Sequence, residues 1–155
     1  MNDFLKDLQD YITAKFNANT AFTKVTVNRA YSKSTQIKSP QISIYVLGDD
    51  DLMSASTFDA EHATVYPVQF YCYWKDGIKY NNKAVGSQLG CEILGEELSK
   101  LFEDKDKVMA DNQNILLIEK IGGKPFGMPT LDGSANYQSV PRFVFTVKKP
   151  YTANN

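Results

Sequence analysis

Residues 62–77, HATVYPVQFYCYWKDG, decide how the rest of this chain is read. They are rich in β-branched and aromatic residues, which suit a pleated, half-buried surface. Successive side chains along a strand point to opposite faces. One face of the run then carries Tyr66, Val68, Phe70, Cys72 and Trp74, and the other Val65, Pro67, Gln69, Tyr71 and Tyr73. Both faces have apolar substance, so the run predicts a strand with one side packed on helices and the other partly covered. Tyr71 and Tyr73 are candidates for an interface, where such residues are enriched, and equally for a core.

Working outward, the patterns alternate between two periods. Residues 2–19 place Phe4, Leu8, Ile12 and Phe16 four apart, the stripe of an amphipathic helix. Residues 24–31 and 39–48 alternate as strands, the second opened by Pro40. After the central run, residues 81–104 read as a second helix with Cys91, Leu94, Leu98, Leu101 and Phe102 as its main stripe. Gly86, Gly90 and Gly95 would each cost about 1 kcal/mol against alanine inside it. They point to the close approach of another chain segment or to a helix that starts late, near Ser87. Residues 114–121 and 141–151 are the last two strands. The expected fold is α+β: a mixed or antiparallel sheet with two helices packed on one face, in the order α-β-β-β-α-β-β. Residues 1–151 make a single domain and 152–155 a frayed tail.

The formal net charge of −1 disfavours a protein that binds nucleic acid by neutralising phosphates. No apolar run approaches the length that spans a bilayer, and the acidic N-terminus MNDFLKDLQDY does not read as a signal peptide. A cytoplasmic origin is the default expectation. Cys72 and Cys91 both fall on apolar stripes, as small buried thiols would. His62 is the only histidine. Without a second one, and without metal-ligand spacing, no catalytic, cofactor or metal site is expected. The run Asp49, Asp50, Asp51 lacks the spacing of a calcium loop. It reads as solvated charge, or as an acidic wall that repels phosphates.

Residues 121–145, IGGKPFGMPTLDGSANYQSVPRFVF, hold four of the nine glycines and three of the six prolines. A phosphate loop would need Gly-Lys-Ser/Thr opening a helix, and here Pro125 follows Lys124. Residues 122–140 therefore read as a long loop between the last two strands. Loops of that length are functional or disordered, and this one carries Phe126, Met128, Leu131 and Tyr137. Exposing those side chains is costly, so the segment is expected to fold onto its own core or to be covered by another subunit. Phe126, Met128 and Tyr137, with Arg142 as a cross-subunit charge, are the expected contacts.

The helix at the start, VTVNRAY, SPQISIYVLG and YPVQFYCYW, followed by IEKIGGKPFGMPTLDG and YQSVPRFVFTV, resemble in order and texture the tail terminator or tail-completion (neck) proteins of long-tailed bacteriophages. The likeness spans nearly the whole chain and rests on element order, not on an invariant motif. It implies a non-enzymatic virion protein, made in the host cytoplasm, forming a hexameric ring. Such a ring caps the tail tube, stops its polymerisation and meets the head or neck connector, with DNA passing through unbound. Asp49, Asp50 and Asp51 would then line the lumen. A head-completion adaptor, a minor capsid or other connector protein, and a small host-directed binding protein are the alternatives. A small enzyme or ligand-binding domain using a cleft beside His62 and the Asp49–Asp51 run is a further one.

Overall fold

The computed structural model describes residues 2–29, 39–47, 63–130, 136–149 and 151. Its elements run α1 (Asn2–Asn17), β1 (Thr26–Asn28), β2 (Gln41–Val46), β3 (Ala63–Trp74), β4 (Lys79–Tyr80), β5 (Lys83–Ala84), α2 (Ser87–Glu103), α3 (Lys105–Asp111), β6 (Ile115–Pro129) and β7 (Tyr137–Lys148). The main sheet has the order β1-β2-β3-β7-β6. β1 joins β2 in parallel and every other neighbour is antiparallel, so the sheet is mixed. The fold is α+β, as the sequence patterns predict.

β3 holds the centre, pairing with β2 on one side and β7 on the other. Its Phe70, Cys72 and Trp74 face is buried beneath the helices. α1 and α2 lie on that same face. Phe4 of α1 and Phe102 of α2 both pack on Phe145 of β7, with ring centroids 5.7 and 5.2 Å apart. Aromatic pairs in such tilted and edge-on arrangements add to the area they bury.

Two short features escape the periodicity. β4 and β5 form a tight hairpin turned by Asn81 (φ 52°) and Asn82 (φ 65°), the left-handed pair that a two-residue turn requires. The hairpin is tied to the segment after α1, where Phe22 bridges Tyr80. The seven-residue α3 follows α2 directly and buries Val108. α2 begins at Ser87, so the second helix does start late.

The segment expected as a long loop is a correction. β6 runs on to Pro129, and Gly123, Lys124, Met128 and Pro129 pair with Pro141, Val140, Gln138 and Tyr137 of β7. Up to Pro129 the glycines and prolines make bulges instead of a loop, the register shifting between Lys120 and Gly123 and again between Lys124 and Met128, while residues 131–135 lie outside the described residues. Gly123, at φ 115°, passes so close to β7 that a Cβ there would meet the Val140 carbonyl oxygen at 2.6 Å. β6 is the last strand in the sheet order, so Pro125 and Pro129 cost it no ladder on its outer side. At the opposite border, the three-residue β1 has its Val27 carbonyl taken by the Gln9 side-chain amide at 2.9 Å.

Candidate interaction surface

The far half of β6 makes an arm braced against α2 of the same chain. The Gly127 N–H donates to Glu92 Oε2 of α2 at 2.6 Å. A Cβ on Gly127 would lie 2.8 Å from the Gln88 carbonyl oxygen and 3.0 Å from Cys91 Sγ. Only glycine lets the arm come this near. Its neighbour Phe126 is left 60% exposed. Between arm and helix runs an open groove of about 480 Å³ whose lining includes Glu92, Glu96, Glu103, Phe126 and Pro141. Met128 is half-buried. Tyr137 is partly buried against the core, and its N–H donates to Ser87 Oγ at 2.7 Å. The same hydroxyl donates to the Trp74 carbonyl, so one serine joins α2, β3 and β7.

The sheet face turned away from the helices carries a second group. Arg142 Nε donates to Gln69 Oε1. Arginine is an obligate donor, so the Gln69 amide must turn its nitrogen the other way. That nitrogen donates to the Tyr71 hydroxyl oxygen, which leaves the Tyr71 proton to point elsewhere. Tyr71 packs edge-on to Tyr45 at 6.4 Å and stacks on Tyr73 at 6.2 Å. Tyr45 is 55% exposed whereas Tyr73 is 2% exposed. Tyr73 therefore supports Tyr71 and has little surface of its own to present.

Cys72 and Cys91 are free and buried. Burial first, and then the neighbouring Glu92, push the Cys91 thiol up to about 12. Cys72 is raised as well, by burial first and then by Cys91. Thiols held protonated in this way are poor nucleophiles. No group of three or more histidine, cysteine or acidic side chains able to hold a metal occurs among the described residues. No helix among them is long and apolar enough to cross a membrane. Asp49, Asp50, Asp51, His62 and Leu131 lie outside the described residues.

The structure thus brings Tyr71, Tyr73 and Arg142 together on one sheet face and sets Phe126 apart beside α2. Tyr45, Gln69 and Glu92 join these groups without having been singled out in the sequence. Strand parity does put Gln69 with Tyr71 and Tyr73, but the register that places Arg142 opposite Gln69 is a tertiary fact. No protein-family model matches the chain, and no curated protein matches it.

Proposed function

We propose that this chain is a structural protein of a long-tailed phage virion. In this reading it is a tail terminator whose copies close into a hexameric ring on the tail tube, end its growth and present a surface to the head or neck connector. DNA passes through the opening without being specifically bound. The observation that carries the reading is Phe126, a large apolar side chain 60% exposed on an arm fixed by a backbone hydrogen bond to Glu92. A braced arm loses little conformational freedom on docking, which favours association. Burying one such phenylalanine contributes about 1.5–3 kcal/mol. The α+β sheet with helices on one face, and the likeness in element order, support the same assignment.

Phe126→Ser is expected to weaken ring formation at least tenfold by light scattering and to leave the unfolding midpoint of the free subunit unchanged. A ring that forms as readily from this variant overturns the role of the arm. Tails assembled without the protein should be overlong by electron microscopy. Tails of normal length on leaking heads would instead identify a head-completion adaptor.

A further inference from the structure

Charge is divided lengthwise along α2. Residues 75–84 and Lys24 gather at its N-terminal end, because Asp76 Oδ1 accepts the Ser87 N–H at 2.6 Å. This end carries Lys24, Lys75, Lys79 and Lys83, all exposed, against Asp76 alone. Lys24, Lys75 and Lys79 line one open cleft. None of the four lysines is in an ion pair among the described residues. The helix itself carries four glutamates against one lysine, with Glu96, Glu97 and Glu103 in its second half. A helix N-terminus favours acids and its C-terminus bases, so this arrangement runs against the macrodipole. Glu96 and Glu97 are offset locally by their i,i+4 and i,i+3 pairs with Lys100, whereas the four lysines at the N-terminal end have no such partner among the described residues.

The groove beside the arm has the chemistry of a lysine receptor. Phe126 offers an exposed ring between arm and helix, and three carboxylates, Glu92, Glu96 and Glu103, line the same space with two lysines, Lys100 and Lys120. A lysine lays its methylene stem along such apolar surface and carries its ammonium to a carboxylate, with a further cation–π attraction over the ring. Glu92 is held by the Gly127 N–H, and Glu96 and Glu103 are engaged with Lys100 at 3.4 Å and Lys120 at 3.0 Å, all four of these side chains about half exposed or more. Surface pairs of that kind are worth little and exchange readily.

We infer that the β4–β5 hairpin of one copy docks through Lys79 and its lysine neighbours into the α2–β6 groove of the next copy, against Glu96, Glu103 and Phe126. This rests on the ring reading and names its contact. Donor and acceptor patches are different surfaces of one subunit, separated along a helix about 24 Å long. The contact is therefore heterologous, the kind that propagates head to tail and closes when the rotation permits.

The test is a charge exchange read by light scattering, and by co-sedimentation with purified tail tubes. K75E/K79E/K83E and E96K/E103K should each weaken association at least tenfold, and mixing the two variants should recover it. Wild-type association should also weaken as salt rises from 0.05 to 0.5 M, values chosen to span about a threefold change in screening length. Circular dichroism checks folding, and Lys79→Gln and Glu96→Gln serve where a reversal does not fold. Association that is unchanged in both variants, or unrecovered on mixing, overturns the contact and leaves the ring standing. Wild-type protein that remains monomeric even on tail tubes removes the ring reading and this contact with it. Retention of duplex DNA that the lysine variant loses, with association intact, assigns the lysines to a phosphate backbone and overturns the proposal.

Discussion

A methyl group added at Gly90 would sit 2.2 Å from two atoms of the Trp74 ring. Trp74 is among the largest fully buried side chains, hemmed in by Phe22 and by the carbonyl its indole N–H reaches on Val85. The ring has nowhere to go. Gly90→Ala gains about 1 kcal/mol of helix propensity, but a clash this close puts the overpacking cost at about 3 kcal/mol, for a net loss of about 2 kcal/mol. Gly86→Ala places its methyl 3.6 Å from Asp76 Oδ1, an ordinary contact, and should be neutral within about 0.5 kcal/mol. Urea unfolding of the two variants side by side checks the contrast. Equal effects would mean that the glycines of α2 are a matter of propensity and not of fit. Gly95 follows the same logic against Ser139, whose hydroxyl donates to the Cys91 carbonyl at 2.6 Å.

At the scale of the element, α2 gets its start from outside itself. Gly86 occupies its N-cap position and supplies no side-chain cap. The missing acceptor comes from Asp76, in the turn after β3, which also sets a negative charge at the positive end of the helix. Asp76→Ala should cost about 1 kcal/mol, or about 3 °C in Tm for a chain this size, and Asp76→Asn appreciably less. An unchanged melting temperature would show that water substitutes freely there. Local sequence gave no hint of this cap because donor and acceptor are joined only once the β4–β5 hairpin has turned the chain back. Elements with one continuous apolar face were legible: α1, β2, β3 and β7 repeat their apolar residues at the period of the backbone that carries them. The far half of β6 was not. Its bulges interrupt the alternation, and glycines and prolines that serve an outer strand look, in sequence, like those of a loop. Of the expected contacts, Phe126 was legible as a large apolar residue in an unsuitable setting, whereas the joining of Tyr71 to Arg142 through Gln69 needed the pairing of β3 with β7.

Across the whole molecule, two buried thiols couple stability to alkaline pH. The unfolded chain releases a cysteine proton near 9.0, and Cys91 in the fold holds it to about 12. Cys72 shifts in the same direction. Above pH 9 the unfolded state therefore binds fewer protons than the native one, and stability falls as pH rises. Below 9 the contribution is complete. Wild-type unfolding midpoints should decline between pH 9 and 11, and Cys91→Ala should reduce that slope. A slope unchanged in the variant would show that other groups, such as the raised Tyr11 and Tyr66, govern the alkaline limb.

The sheet's two borders bear on how copies can meet. A flat, open strand invites the next chain to continue the ladder without end. Here one rim is three residues long with a carbonyl already occupied by Gln9, and the other is broken by bulges, Pro125 and Pro129. Backbone templating is thus discouraged on both flanks, and in the proposed ring recognition between copies would fall to side chains, whose geometry can be exhausted after a fixed number of partners. A subunit built this way is suited to assemblies that finish.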